Sequence, residues 1–139
     1  MLATEEDIEN VSREEWFKKF SYLVNKQNNE TPASCSTGGC TYGESTPLVL
    51  FKLFVHLAKK HQLDSSSVFA DIGAGIGKVL LFFCQMLNCP STLLGFECDG
   101  QRVNLAAKLI HSLKVNNLKT EGVRVLEADG EKLKTLVIL

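Results

Sequence analysis

The chain has 139 residues, which is enough for one domain with a hydrophobic core. Hydrophobic residues make up 45% of the sequence and charged residues 22%, a composition typical of soluble globular proteins. The formal net charge is −1, so no overall field draws the protein to nucleic acid or to a membrane. The longest apolar runs, such as Val79 to Cys84, are too short to span a bilayer, and the acidic N-terminus does not resemble a signal peptide.

The five cysteines are Cys35, Cys40, Cys84, Cys89 and Cys98. An odd number of cysteines without a secretory signal indicates reduced thiols and an intracellular protein. Cys35 and Cys40 lie close together in a polar segment, but no CxxC pair or histidine cluster accompanies them. We therefore expect no metal site.

Residues 1–41 are predicted to form a helical extension followed by a flexible loop. Ser12 is the expected start of the helix, because Glu15 follows at the spacing of a capping box. An apolar stripe at helical spacing then predicts that the helix docks on the core of the domain; its residues are Trp16, Phe17, Phe20 and Val24. The segment from Asn25 to Thr41 is rich in Asn, Ser, Thr and Gly, as loops are.

Helices and strands alternate in the rest of the chain. Thr46 and Pro47 are a capping hydroxyl and a first-turn proline, so a helix begins there and continues to His61. Val68 to Ile72 is predicted to be a buried strand. Further strands are expected at 92–97, 123–126 and 135–139, and further helices at 78–87 and 99–116. This alternation predicts an α/β fold, a Rossmann-like doubly wound parallel sheet that is incomplete because the chain stops at the fourth strand.

A glycine-rich segment, Asp71-Ile72-Gly73-Ala74-Gly75-Ile76-Gly77, joins the first strand to the following helix. Ligands of open α/β sheets bind at this end of the strands. The spacing departs from the dinucleotide pattern GxGxxG, since Lys78 follows Gly77. A carboxylate at Asp71 would repel a pyrophosphate, but it suits the sulfonium and ammonium groups of S-adenosylmethionine. We therefore favour S-adenosylmethionine over a nicotinamide cofactor.

Two further acids stand at the ends of predicted strands. Glu97 ends the second strand, where a carboxylate can accept hydrogen bonds from both ribose hydroxyls. Asp129 follows the third strand and could accept a hydrogen bond from the adenine amino group. Each acid alone could be a solvated carboxylate or a helix cap, and capping is the better interpretation of Asp99. Together, Asp71, Glu97 and Asp129 predict a cofactor site.

This pattern resembles the class I methyltransferases, and the segment Tyr42-Gly43-Glu44 narrows the resemblance. The disruptor-of-telomeric-silencing family of histone lysine methyltransferases, which lack a SET domain, has a similar segment before the helix that leads into the glycine loop. The chain is similar to that family in order and spacing from Tyr42 to about Leu113. The final TLVIL also resembles the strand that precedes the family's Asn-Asn-Phe catalytic segment.

The resemblance implies a methyltransferase that uses S-adenosylmethionine and transfers its methyl group to a lysine of a core histone or nucleosome. It also implies a nuclear location; without the resemblance, we expect a cytoplasmic one. It implies that residues 42–139 are the cofactor-binding part of the domain, truncated at the fourth strand. The methionine end of the cofactor would lie on Tyr42, Gly43, Glu44 and Ser45, and the loop around it would be formed by Asp71, Gly73, Gly75 and Lys78. Glu97 would hold the ribose and Asp129 the adenine.

The sequence departs from the family in three places. Lys78 stands where the family often has a polar amide, and Gly130 stands where an aromatic residue would pack on adenine. The chain ends before an Asn-Asn-Phe segment, so no catalytic residue is assigned. Two alternatives stay open: a class I methyltransferase of another protein, an RNA or a small molecule, and a catalytically silent fragment that binds the cofactor.

Overall fold

A computed structural model describes residues 5–30, 46–61, 63–87 and 91–128. Its elements in chain order are α1 (Glu5–Ser12), α2 (Glu15–Asn29), α3 (Pro47–Lys60), β1 (Val68–Ile72), α4 (Lys78–Met86), β2 (Thr92–Glu97), α5 (Gly100–Val115) and β3 (Val123–Glu127). The elements predicted between Thr46 and Leu126 are confirmed to within one residue at each end. The fourth strand predicted at 135–139 lies outside the described residues.

The three strands form a parallel sheet in the order β1-β2-β3. Val68 pairs with Thr92 and Leu93 pairs with Val123, so the carboxyl ends of the strands meet at one edge of the sheet. Parallel strands require crossover helices, and these crossovers are right-handed. Two successive right-handed crossovers in the same direction place α4 and α5 on the same face. The described residues therefore form one half of a Rossmann-like sheet.

The hydrophobic core fills the space between this face of the sheet and the helices. Leu93 and Val123 from the strands pack with Phe82 and Leu81 of α4 and with Leu109 of α5. These side chains are removed from water, which supplies most of the free energy that stabilises the domain. The core thus holds α4 and α5 firmly against the strand ends that they follow.

Helix α2 packs against α5 and, through its aromatic side chains, against Phe82 of α4, as its apolar stripe predicts. Phe20 and Val24 are buried. The ring of Phe20 lies 6.1 Å from that of Phe82 in an edge-to-face arrangement, and the ring of Trp16 lies 6.3 Å from it. Aromatic pairs favour such geometries over face-to-face stacking. The N-terminal helix is therefore a part of the core and not a separate unit.

The prediction that Ser12 begins the N-terminal helix is wrong. Ser12 is the last residue of α1, and its hydroxyl donates a hydrogen bond to the carbonyl oxygen of Glu9, 2.8 Å away. Serine can bond back to the preceding turn as well as cap the following one, and the capping-box spacing does not distinguish the two roles. The extension consequently has two helices, and α2 continues to Asn29, beyond the predicted start of the loop at Asn25.

The prediction that β1 is buried is also wrong. Val68 is 64% exposed and Ile72 is 54% exposed. β1 is an edge strand of the described sheet, and α4 packs on its other face, on which Phe69 contacts Phe83 at a ring distance of 5.7 Å. A continuous apolar run predicts a strand that is covered on both faces, whereas the described helices cover one.

Candidate functional site

The glycine-rich loop connects the end of β1 to the start of α4. Gly73, Gly75 and Gly77 have φ angles of +79°, +58° and +84°. Residues with a β-carbon rarely adopt these left-handed values, so the motif needs glycine for the shape of the loop itself. Gly77 is the N-cap residue directly before α4, and the loop therefore lies at the positive end of that helix.

The loop is anchored to β2 by its main chain. The N–H groups of Gly73 and Ala74 both donate to the carbonyl oxygen of Phe96, at 2.7 and 3.1 Å. Gly95 makes this close approach possible. A β-carbon added to Gly95 would lie 2.7 Å from the β-carbon of Ala74 and 3.0 Å from a methyl carbon of Leu80. The loop thus has one position relative to the end of β2.

Glu97 ends β2 with its carboxylate beneath the loop. The residue is only 3% exposed. Its Oε1 accepts the N–H of Gly75 at 3.0 Å, and its Oε2 accepts the N–H of Asp99 at 2.9 Å. Hydrogen bonds to a charged acceptor are the stronger kind, and they offset the cost of burying the carboxylate. The Cys98 thiol is a further, weak hydrogen-bond donor to this carboxylate. Each carboxylate oxygen has two lone pairs, so the group has acceptor capacity beyond its two backbone bonds.

Asp99 is a helix cap, as predicted. Its Oδ1 accepts the N–H of Gln101 at 3.0 Å at the start of α5, and the residue is fully buried. Its Oδ2 lies 3.9 Å from Nε of Arg102, which is also buried. Sequence analysis missed this buried arginine, although the spacing of an aspartate cap and an arginine three residues later was a usable signal.

Asp71 lies near the end of β1, next to the strand that ends in Glu97, and its surroundings disfavour the ionised form of its carboxyl group. Burial raises the pKa of the Asp71 carboxyl above its usual value, and the negative charge of Glu97 raises this pKa further. Perturbed carboxyl groups of this kind often mark sites that bind cations or perform proton chemistry. The two acids therefore create a negative potential at the mouth of the loop.

Replacing Asp71 with asparagine is expected to raise the free energy of unfolding at neutral pH. Because the pKa of Asp71 is raised in the folded state, the folded chain binds more protons than the unfolded chain between the ordinary pKa of 3.8 and the raised value, and stability falls as pH rises through this window. The gain in Asp71→Asn should be below about 1 kcal/mol, because solvent screens the half-buried group, and it should vanish below pH 3.8.

Denaturant unfolding from acid to neutral pH measures this effect. Asp64→Asn is the matched control, since hydrogen bonds from the side chain and main chain of Ser66 lower the pKa of the exposed Asp64 carboxyl. The control variant should be less stable than the parent chain at neutral pH. A destabilised Asp71→Asn protein at neutral pH would contradict the assignment of Asp71 as an electrostatically strained group.

Glu127 is a third carboxylate at this edge that sequence analysis missed. It is the register partner of Glu97 on β3. Its carboxylate lies over the start of α5, because a β-carbon added to Gly100 would be 3.0 Å from its Oε2. The signal in the sequence was its place directly after the third predicted strand, at the edge of the sheet where Glu97 ends the second strand.

The structure brings four of the predicted site residues together: Asp71, Gly73, Gly75 and Glu97. Lys78 directly follows the loop in sequence and is also one of the residues that line a neighbouring cavity against α2. The predicted residues Tyr42, Gly43, Glu44, Ser45 and Asp129 lie outside the described residues, as does Gly130.

The described residues contain neither a metal-binding cluster nor a membrane-spanning helix. Within 5–30, 46–61, 63–87 and 91–128, no group of three or more His, Cys, Asp or Glu side chains is arranged to hold a metal ion. No helix in these ranges combines the length and the apolar character needed to cross a bilayer.

The parallel strands, the helical crossovers and the glycine loop bonded to an acid at the end of β2 define a class of protein. It is the class I, Rossmann-like methyltransferase fold, of which the described residues form part. The family model for the histone methylation protein DOT1 matches residues 20–133. The chain therefore belongs to the DOT1 family of methyltransferases, and its cofactor is S-adenosylmethionine.

Several solved structures are similar to the chain at low sequence identity. Magnesium protoporphyrin IX methyltransferase from Synechocystis PCC 6803, with bound SAH, is 11% identical with a TM-score of 0.46, over 86% of this chain and 49% of that one. Coclaurine N-methyltransferase, bound to N-methylheliamine and SAH, is 17% identical with a TM-score of 0.44, over 83% and 37%. The [4+2]-cyclase SpnF is 15% identical with a TM-score of 0.46, over 93% and 44%.

The chain thus spans less than half the length of these three structures. No curated protein matches its sequence.

Proposed function

We propose that this chain is the cofactor-binding part of a methyltransferase that transfers a methyl group from S-adenosylmethionine to a lysine of a core histone in the nucleosome. Membership of the DOT1 family supports this acceptor class and a nuclear location. The observation that carries the cofactor assignment is the buried Glu97 carboxylate, held beneath the glycine loop by two backbone N–H groups. We also propose that a boundary between residues 41 and 42 separates the N-terminal extension from the cofactor-binding part of the domain.

The geometry of the loop fits the ribose of the cofactor. Besides its bonds to the N–H groups of Gly75 and Asp99, the Glu97 carboxylate accepts only from the weak donor Cys98 among the described contacts. The vicinal hydroxyls of a ribose are two stronger donors, and we expect them to replace the thiol at this carboxylate. Because Glu97 is only 3% exposed, we expect the groups that cover it to shift when the ribose binds. Asp129 would then accept a hydrogen bond from the adenine amino group.

The electrostatics of the site fit the cationic end of the cofactor. Burial and, to a lesser extent, the negative charge of Glu97 raise the pKa of Asp71, and a nearby cation would relieve the repulsion between the two acids. Gly73 and Gly75 allow a ligand to approach the main chain closely. We propose that the loop, closed by the main chain of Lys78, surrounds the methionine end together with Tyr42, Gly43, Glu44 and Ser45.

For methyl transfer, the main task of these residues is to position the cofactor's methyl group. When bound, S-adenosylmethionine supplies a methyl group that its sulfonium charge has already activated. The chain's residues hold that group in line with an incoming nucleophile, and such alignment lowers the barrier without a strong base. A lysine acceptor reacts as the neutral amine, and an apolar surrounding favours that form.

Two other functions follow from the same site. A class I methyltransferase of another protein, an RNA or a small molecule would use the same loop and the same Glu97. A catalytically silent chain that only binds the cofactor would also retain both. These alternatives share the cofactor and differ in the methyl acceptor. One experiment therefore tests the cofactor, and a second tests the acceptor.

Calorimetry on the purified chain tests the cofactor. We expect saturable binding of S-adenosylmethionine and no binding of NADH, because Asp71 and Glu97 attract a sulfonium and repel a pyrophosphate. Tighter binding of NADH, or no binding of either compound to a folded chain, would contradict the assignment.

Transfer of a labelled methyl group from S-adenosylmethionine tests the acceptor. Reconstituted nucleosomes, total RNA and free amino acids serve as parallel acceptors, and label in a core histone is the expected outcome. Label in another acceptor would favour the general methyltransferase. Cofactor binding without any transfer would favour the silent chain.

A further inference from the structure

Three charged side chains are buried where β2 ends and α5 begins: Glu97, Asp99 and Arg102. They are linked to one another. The N–H of Asp99 donates to Oε2 of Glu97 at 2.9 Å, and Oδ2 of Asp99 lies 3.9 Å from Nε of Arg102. Buried charges need opposite charge or hydrogen bonds around them, so the charge of each member affects the other two.

The position of Arg102 is unfavourable for the helix itself. Arg102 is the third residue of α5, and the N-terminal end of a helix favours negative charge over positive. Removing its guanidinium from water adds a further cost. Both costs are offset by the Asp99 carboxylate beside it, and the Glu97 carboxylate is bonded to the main chain of the same aspartate. The location of Arg102 therefore serves the two acids and not the helix.

The positive potential of Arg102 extends to the residue beside Glu97. Burial and the charge of Glu97 raise the pKa of the Cys98 thiol, whereas the charge of Arg102 acts in the opposite direction and lowers it. The same thiol is a hydrogen-bond donor to the Glu97 carboxylate. A cation whose charge acts on this donor also attracts the carboxylate that the donor contacts.

From these contacts we propose that Arg102 is a positioning residue of the cofactor site. Its charge compensates the buried charges of Asp99 and Glu97, so that the Glu97 carboxylate stays ionised and in place beneath Gly75. Arg102 acts through Asp99, whose N–H holds Oε2 of Glu97, and not by contact with the cofactor. The inference rests on the proposed role of Glu97 as the acceptor of the ribose hydroxyls.

Calorimetric titration of charge variants with S-adenosylmethionine tests the proposal. Arg102→Met removes the charge and keeps much of the volume, and it should weaken cofactor binding about tenfold, or about 1.4 kcal/mol. Arg102→Lys retains a positive charge, so its affinity should lie within about threefold of that of the parent chain. Lys108→Met is the matched control, because it removes an exposed cation of the same helix, and it should leave the affinity unchanged. Parent affinity in Arg102→Met, or no recovery in Arg102→Lys, would overturn the proposal.

A double variant separates the charge of Arg102 from its packing, and it serves the same purpose if Arg102→Met does not fold. Asp99→Asn combined with Arg102→Met removes both charges of the pair, a replacement that protein interiors often tolerate. Asparagine also caps helices, so the start of α5 is retained. Without the Asp99 charge, the affinity for S-adenosylmethionine should return to within about threefold of the parent's. A tenfold loss in this folded variant would show that Arg102 acts by packing, which would overturn the proposal.

Titration of the Cys98 thiol tests the field of Arg102 without any cofactor. The thiol is followed by ¹³C NMR of the chain labelled at its cysteine β-carbons, and the spectrum of Cys98→Ser assigns its signal. In Arg102→Met the thiol should titrate at higher pH than in the parent chain, because the positive charge that lowers its pKa is gone. Lys108→Met should leave this titration unchanged. An unchanged titration in Arg102→Met would overturn the proposal.

Failure of this proposal and failure of the proposed function give different results. A parent chain that binds no S-adenosylmethionine would contradict the proposed function, and with it the role of Glu97 on which Arg102 acts. A parent chain and an Arg102→Met variant that bind the cofactor equally well would contradict the role of Arg102 alone.

Discussion

Replacing Glu97 with alanine is expected to reduce the affinity for S-adenosylmethionine by about 100-fold, since hydrogen bonds to a charged group contribute roughly 1.5–3 kcal/mol each. The variant loses the carboxylate that would accept the two ribose hydroxyls. It also leaves the N–H groups of Gly75 and Asp99 without the acceptor that they have in the structure. Calorimetric titration of the cofactor measures the effect.

A control separates loss of binding from loss of folding. Glu127→Ala removes a carboxylate at the end of the adjacent strand, where the side chain is exposed, and it should change cofactor affinity by less than about threefold, as exposed charges contribute little. Denaturant unfolding of both variants shows whether the glycine loop still folds. Asp71→Ala should weaken cofactor binding as well. Unchanged affinity in both Asp71→Ala and Glu97→Ala would refute the placement of the site.

Replacing Gly95 with alanine is expected to lower the free energy of unfolding by about 1–3 kcal/mol, the usual cost of overpacking a core. The added β-carbon would lie 2.7 Å from the β-carbon of Ala74 and 3.0 Å from a methyl carbon of Leu80. The first is closer than two carbons pack, so the loop or β2 has to move. Because Ala74 lies between Gly73 and Gly75, we also expect a lower affinity for the cofactor.

Gly100→Ala is the matched control for this prediction. The three atoms nearest its added β-carbon all belong to the carboxylate of Glu127, the closest 3.0 Å away, at the end of a flexible side chain that can turn aside. Alanine is also favoured over glycine in a helix, so this variant should be as stable as the parent chain or more stable. Equal stability of Gly95→Ala and Gly100→Ala in denaturant unfolding would show that the loop does not depend on close contact with β2.

Much of this fold was predictable from local patterns in the sequence. The cap at Thr46, the proline at 47 and the three strands were identified because their signals involve neighbouring residues. The glycine loop was identifiable for the same reason, since its three positive φ angles are a local requirement of the chain. The role of Asp99 as a cap was likewise predictable from its position before α5.

The roles that depend on distant residues were not predictable in this way. Ser12 is a different case, because both of its possible roles are local: it has the spacing of a capping box, but its hydroxyl bonds back to Glu9 at the end of α1. The apolar run of β1 indicated burial, yet the exposure of Val68 and Ile72 depends on which face of the sheet the helices cover. The burial of Arg102 beside Asp99 depends on how α5 packs.

The sequence by itself determined the class of cofactor, because the glycine spacing and the charge of Asp71 are properties of a few adjacent residues. Only the tertiary structure decided how the site is held. Gly75 and Glu97 are 22 residues apart, and their hydrogen bond exists because the parallel pairing of β1 and β2 brings the loop over the end of β2. Local patterns specify which residues can serve a site, whereas the packing of strands and helices specifies which of them meet.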